Sequence, residues 1–349
     1  MGFKELMFKF FGLSILIGSL LGGWLYMDAK QFLQTPLRIQ EKELHYLVEP
    51  GMNIKQLAKD LAAKGILDKP EYLVWLARWQ DNAHRIKSGE YVISAGTTPV
   101  QFLDIIVQGK AVQHALTLIE GLTFREMMAI IRAEPQLKHT LKGVDNAQVM
   151  AVLGWPEQHP EGRFYPDTYH FPRATTDVDF LKRAHRAMEK QLSESWQQRA
   201  KDLPYKNAYE ALIMASIVEK ETGQAHERAE IAGVFVRRLK KKMRLQTDPT
   251  VIYGLGDAYD GNIRKADLRS KSPYNTYRHR GLPPTPIAMP GGDAIRAALN
   301  PAPGDALYFV ARGDGTHQFS SNLDDHNAAV IKYQLRGRKR AFSSMPVKQ

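Results

Sequence analysis

The run Ala211-Leu212-Ile213-Met214-Ala215-Ser216-Ile217-Val218-Glu219-Lys220-Glu221 is apolar or small until it ends in two carboxylates. A carboxyl held among apolar side chains loses hydration, so its pKa rises and it can carry a proton near neutral pH, as a general acid must. On a helix turning 100° per residue, Glu219 shares its face with Leu212, Ala215 and Ser216, whereas Glu221 falls under Met214, Ile217 and Val218. The small face leaves room for a sugar-sized ring beside Glu219, which makes Glu219 the expected acid. Glu221, on the bulkier stripe, is expected to form an internal ion pair with an Arg or Lys. The bland alternative is a pair of glutamates solvated at a helix end.

A polar and aromatic series follows: Gln246-Thr247-Asp248-Pro249-Thr250, Tyr253-Gly254, Ser272-Pro273-Tyr274-Asn275-Thr276-Tyr277 and Gly281-Leu282-Pro283-Pro284. Aromatic faces, amides and hydroxyls suit a neutral saccharide, which offers C–H faces for stacking and hydroxyls for hydrogen bonds. Long loops tied down by Pro and turns would look the same. Other chemistries find little support. His226-Glu227 lacks the second His of a zinc-protease helix, no nucleophile elbow or phosphate loop occurs, and Asp257 to Asn262 departs from the calcium-loop pattern. His317 and His326, with Asp324 and Asp325 nearby, form a weak metal candidate that competes with packing roles in a hairpin. Without cysteine there is no disulfide, thiol nucleophile or Cys-ligated zinc.

These residues need elements to hold them. Hydrophobic periodicity predicts helices over Asp177–Lys201, Tyr209–Thr222 and Ala225–Arg244, and a hairpin over Leu307–Ser320 turning at Gly313-Asp314-Gly315. Pro156 to Arg173, rich in Pro, Gly and aromatics, reads as a structured loop. Earlier, Tyr46-Leu47-Val48 reads as a strand, Asn53 as the N-cap of a helix stopped by Gly65, Glu71–Gln80 as a second helix, Gly89–Ser94 as a strand and Pro99–Gln108 as a helix. A short echo of Val48-Glu49-Pro50-Gly51 at Ile119-Glu120-Gly121 precedes a capping box between Thr123 and Glu126, and internal repetition there is an open alternative.

Phe10 to Met27 runs without a charge and would span roughly 27 Å as a helix, close to the hydrocarbon thickness of a bilayer. An uncleaved anchor is favoured over a signal peptide, because the run exceeds the usual apolar core of a signal and no small-residue cleavage site follows it. Lys4 and Lys9 before it and Lys30 and Arg38 after it leave the orientation nearly undecided. The net charge of +11 suits an anionic wall polymer, lipid or nucleic acid. A membrane span disfavours nucleic acid, and the basic runs Arg237–Lys242 and Arg336–Arg340 read as helix ends without the interleaved aromatics of a single-strand binder.

In order along the chain stand Glu161-Gly-x-Phe-x-Pro-Asp-Thr-Tyr169, Ala215-Ser-Ile-Val-Glu-Lys-Glu-Thr222, Leu245-Gln-Thr-Asp-Pro-Thr-Val-Ile-Tyr-Gly254, Tyr274-Asn-Thr-Tyr277, Gly281-Leu-Pro-Pro284 and Asn300-Pro301. On these motifs the chain resembles the endolytic murein transglycosylases of the YceG-like family from its single span to Asn327. Arg163 departs from the more apolar residue expected there. The resemblance implies an α+β protein with a transmembrane anchor (1–30), a stalk (31–43), a lysin-motif-like α+β module (44–112) and a mainly helical catalytic domain with a small sheet (113–349). It implies a single-pass protein of the bacterial cytoplasmic membrane with its catalytic domain outside. Its substrate would be peptidoglycan glycan strands, with membrane-bound peptidoglycan synthases as possible neighbours. The family's catalytic glutamate is mapped onto Glu219, with Gln246, Asp248, Asn275 and Tyr277 expected to hold the sugar and no metal or organic cofactor required. The implied reaction cleaves the bond between N-acetylmuramic acid and N-acetylglucosamine, closes a 1,6-anhydro ring and ends strand growth. A hydrolytic muramidase and a non-catalytic wall-binding scaffold are the rival readings.

Overall fold

The computed structural model describes residues 3–335; the expected basic tail Arg336–Arg340 and the side chains of Lys4 and Lys9 lie outside the described residues. Among those residues the chain is α+β, with twelve α-helices and three two-stranded sheets. It divides into two units, the first built from residues up to Ala115 with Gln136–Lys138 and His170–Thr175, the second from Leu116–Pro135, His139–Tyr169 and Thr176 onward.

The first unit opens with α1 (Phe3–Gln34), whose stretch Phe10–Gln34 is long and apolar enough to cross a membrane and has none of its apolar window buried in protein. Strand β1 (Glu43–Val48), helices α2 (Ile54–Ala63) and α3 (Pro70–Trp79), strand β2 (Gly89–Ser94) and helix α4 (Pro99–Gln108) follow. β1 and β2 pair antiparallel with Tyr46 opposite Tyr91. Their alternation points these tyrosines and Val48 and Ile93 at Leu57, Leu61, Leu73 and Phe102, all buried in one core. Capping boxes start α2 at Asn53 with Gln56 and α4 at Thr98 with Gln101, satisfying backbone N–H groups that a helix start leaves open. Gly109 ends α4 at φ +73°, where a side chain is disfavoured. The segment read as a stalk contributes to this core: Phe32 and Leu37 are only 8% and 6% exposed.

A short ribbon pairs β3 (Gln113–Thr117) with β4 (Thr168–Pro172). The stretch expected to be an irregular loop therefore ends in a strand, because Tyr169 and Phe171 alternate inward while Thr168 and His170 stay exposed.

The second unit carries α5 (Phe124–Ala133), α6 (Val149–Leu153), α7 (Asp177–Gln197), α8 (Ala208–Glu221), α9 (Arg228–Lys240), α10 (Asp248–Leu255), α11 (Gly292–Leu299), β5 (Tyr308–Ala311), β6 (His317–Ser320) and α12 (Leu323–Tyr333). α8 is its centre. Every residue from Ala211 to Val218 is buried, and α7, α9 and α11 pack around it. A helix apolar on all sides belongs inside a protein, and this one meets solvent only in its first turn and at its carboxylate end. The helix expected over Ala225–Arg244 starts with a 3₁₀ turn at Ala225–Glu227 and ends at Lys240. β5 and β6 form the expected antiparallel hairpin, with Phe309 opposite Phe319.

Candidate functional site

The two glutamates at the end of α8 face different surroundings. Glu219, with a side chain 6% exposed, accepts a hydrogen bond from the Gly291 N–H at 3.0 Å and lies 3.5 Å from Arg228. Burial raises its pKa, while the Gly291 N–H opposes the rise, with Glu120 nearby adding to it and Arg228 opposing it. A Cβ at Gly291 would meet only the Glu120 carboxylate, the mobile end of an exposed side chain that would have to swing aside.

The small face of α8 that leads up to Glu219 is packed. Leu212, Ala215 and Ser216 are all buried, and the Ser216 hydroxyl donates to the Ile213 carbonyl at 2.7 Å and accepts from the Ile287 N–H at 3.0 Å. Small side chains here admit the chain around Ile287 against the helix one turn before Glu219, whose carboxylate lies beside Arg228 with the partly exposed Glu120 and Asp293.

Glu221 is the carboxyl that opens onto a cleft. It is partly exposed and lines a hollow of about 360 Å³ with Arg238, Gln246, Thr247, Asp248, Tyr277, Tyr308, His317 and His326. That volume falls within the range of about 300–1,000 Å³ common for ligand clefts. The expected ion pair is absent at Glu221 among the described residues; its carboxylate accepts instead from the Thr247 hydroxyl. Loss of hydration pushes its pKa up to about 7, with the Thr247 hydrogen bond opposing the rise and the Asp248 charge reinforcing it. Arg238, on the same cleft, makes its hydrogen bonds elsewhere while its charge opposes the rise. Its guanidinium donates to the carbonyls of Leu307 at 2.6 Å and Leu245 at 2.7 Å and stacks over Tyr308.

Three of the four residues expected to hold a sugar gather here, around Glu221 rather than Glu219. The Tyr277 hydroxyl donates to Asp248 at 2.6 Å. Gln246 is exposed on the rim with φ +53°, a left-handed conformation that costs a non-glycine residue roughly 1–3 kcal/mol and that surrounding structure must hold in place. Asn275 stands apart. It is fully buried, its amide donating to the carbonyls of Asp267, Leu268 and Ser270 at 3.3, 3.1 and 2.8 Å while its oxygen accepts from the Tyr277 N–H at 3.0 Å. It shapes the loop that carries Tyr277.

The histidines considered for a metal have other partners. His317 Nδ1 lies 2.7 Å from Glu227, which also accepts the His317 backbone N–H at 2.8 Å, and His326 stacks on Tyr308. Among the described residues no group of three or more His, Asp or Glu side chains converges as a metal site.

Glu161, the first residue of the Glu161–Tyr169 motif, is a further buried titratable group. Its buried carboxyl accepts from the Phe124 N–H at the start of α5 at 2.8 Å and from the Tyr253 hydroxyl at 2.9 Å, and burial pushes its pKa up to about 7. The unexpected Arg163 is accommodated by Glu189 at 3.1 Å and by the face of Tyr209.

A buried helix that ends in two desolvated carboxyls, one of them on a cleft of phenols, amides and hydroxyls, is the centre of this α+β protein. The chain belongs to the YceG-like family, whose model matches residues 46–332. It is 31% identical to the endolytic murein transglycosylase of Bacillus subtilis, across 89% of this chain and 90% of that one. It is 28% identical to the protein of that name from Streptococcus pneumoniae serotype 2, across 93% of this chain but 65% of the longer pneumococcal protein. A crystal structure of a yceG-like protein from Listeria monocytogenes superposes with a TM-score of 0.51 at 28% identity, covering 82% of this chain and 98% of that one.

Proposed function

We propose that this protein is a peptidoglycan lytic transglycosylase that cuts nascent glycan strands in the cleft of Glu221. The names of its relatives support the reaction class. The observation that carries the site is a partly exposed carboxyl on a cleft shared with Gln246, Asp248 and Tyr277, where loss of hydration pushes its pKa up to about 7. A group half-protonated at neutral pH can both give and take a proton.

In this mechanism the Glu221 carboxyl donates its proton to the oxygen linking muramic acid C1 to the next N-acetylglucosamine, and the C1–O bond breaks. Positive charge develops at C1 and the ring oxygen. The muramyl C6 hydroxyl then attacks C1, its proton passing to the Glu221 carboxylate as the 1,6-anhydro ring closes. One carboxyl serves as acid and then base, unlike hydrolases that use two at set separations. Thr247 holds the carboxylate in place, and Tyr277, positioned by Asp248, and Gln246 contact the sugar.

A second reading keeps Glu219 as the acid. Its pKa is also raised by burial, and the Gly291 N–H at the start of α11 would stabilise the carboxylate left after proton donation. Mass spectrometry of products from uncrosslinked glycan, treated with detergent-solubilised full-length protein, separates these readings. Anhydromuramyl ends from wild type and Glu219→Gln but not from Glu221→Gln support Glu221; the reverse pattern supports Glu219. Reducing ends would indicate a hydrolase, and no products from wild type a wall-binding scaffold.

The larger organisation belongs to the same proposal. α1 anchors the protein in the cytoplasmic membrane, residues 44–112 form a lysin-motif-like glycan-binding module, and 113–349 form the catalytic domain outside. The strand–helix–helix–strand order with its own core supports an independent module. Cleavage near membrane-bound synthases would terminate strand growth.

A further inference from the structure

Two tryptophans on α3 stand largely outside the core. Trp75 and Trp79 are 57% and 83% exposed. They stand four residues apart, so their indoles share one face of the helix. Their inward neighbours Leu73, Leu76 and Ala77 already complete the core on the other side. Leaving two large apolar rings in water is unfavourable by roughly 25 cal/mol per Å² of apolar surface.

Their place in the unit indicates what covers them. α3 is fastened to the end of α1: Asp28 accepts from Lys69 at 2.5 Å and from the Tyr72 hydroxyl at 2.6 Å, and Phe32 meets the Tyr72 ring edge-on at 5.4 Å. Trp75 continues the series, its ring 5.2 Å from that of Tyr72. Asp28 is the first charge after the apolar run, so in a spanning α1 it marks where hydrocarbon gives way to headgroups. That interfacial layer is about 5–8 Å deep on each side, and Trp and Tyr are enriched in it because their rings have an apolar body and a polar edge. α1 exposes Trp24 and Tyr26 just before Asp28, and exposed Lys30 on α1 and Arg78 beside Trp79 on α3 supply cations for lipid phosphates.

We infer that α3 is a second membrane contact, with Trp75 and Trp79 seated in the headgroup layer of an anionic phospholipid bilayer beside the end of α1. The first unit is then held at the bilayer surface by two elements instead of pivoting on one helix. This rests on reading α1 as an uncleaved anchor.

The test uses full-length protein in vesicles of phosphatidylethanolamine and phosphatidylglycerol containing a lipid with a nitroxide quencher high on its acyl chain. Emission lost by wild type is compared with that lost by Trp75→Phe/Trp79→Phe and by Trp24→Phe. Phenylalanine keeps the apolar body, and both positions on α3 are exposed, so folding is not at issue. Wild type should lose about twofold more emission than the α3 double variant, and Trp24→Phe should also lose less than wild type. If Trp24 contributes quenching and the α3 pair does not, the inference is overturned while the anchor stands. If Trp24 contributes none, the anchor reading fails and the inference with it. If the pair is unquenched by lipid but shielded from aqueous iodide by N-acetylglucosamine oligomers, the face binds glycan and the inference is overturned.

Discussion

The Thr247 hydroxyl, at the residue that precedes α10, donates to the Glu221 carboxylate at the end of α8. That bond favours the ionised carboxyl and restrains a pKa that burial drives upward. In wild type, the protonated acid is lost as pH rises through about 7, so kcat/KM should fall along that limb. Thr247→Val removes the donor while nearly keeping the shape. The limb should move to higher pH, with activity at its plateau reduced about tenfold by the looser carboxyl. A pH–rate profile of the two proteins checks this, and an unmoved limb would exclude Glu221 as the titrating acid.

Glu221 and Glu161 both hold protons in the folded state near pH 7, whereas an ordinary glutamate releases its proton near 4.5. Between those values the folded chain binds more protons than the unfolded chain, so stability declines as pH rises across the window. Glu221→Gln cannot ionise and should escape its share of that decline. Its gain over wild type should be on the order of 2 kcal/mol at pH 8 and close to nothing at pH 4.5. Denaturant unfolding at both pH values measures it, and a gain independent of pH would show that ionisation is not its cause.

Glu161 joins the first turn of α5 to Tyr253 on α10 through two hydrogen bonds to one buried carboxyl. Glu161→Ala leaves the Phe124 N–H and the Tyr253 hydroxyl unsatisfied and should cost about 3 kcal/mol of stability. Glu161→Gln, which retains an acceptor, should cost less than half of that. Equal losses in thermal unfolding would mean that volume rather than hydrogen bonding sets the requirement.

What the sequence made legible follows from how local each signal is. Asn53, Thr98 and Thr123 cap helices through contacts only three residues apart, and the Leu307–Ser320 hairpin is written in its own turn. The contrast between the two glutamates of α8 depends on partners 26 to 72 residues away: Thr247 for Glu221, Gly291 for Glu219. A helical wheel orders faces by side-chain size but does not say what arrives to fill them. The small residues that promised space beside Glu219 instead admitted the chain at Ile287, while the bulkier stripe ended at an open cleft. Composition alone could not separate Asn275 from Tyr277. Both suit a sugar, and only the long-range path of the loop assigns the amide to three carbonyls.

Asn275 and Tyr277 should therefore fail in different ways when altered. Asn275→Ala strips a buried loop of its central donor and leaves three carbonyls competing for water they cannot reach, so about 2–3 kcal/mol of stability should be lost. Activity would fall with it, and the remaining folded enzyme would have a misplaced Tyr277, whose N–H the same side chain holds. Tyr277→Phe removes only the hydroxyl that donates to exposed Asp248, with the ring still half-buried. Its unfolding midpoint should stay near that of wild type while KM for glycan rises about tenfold, the worth of one lost polar contact in a cleft. Thermal unfolding and steady-state kinetics on the same preparations distinguish the two cases. If Tyr277→Phe destabilised the protein as much as Asn275→Ala without changing KM, Tyr277 would be a loop support and the sugar contact would have to come from Gln246.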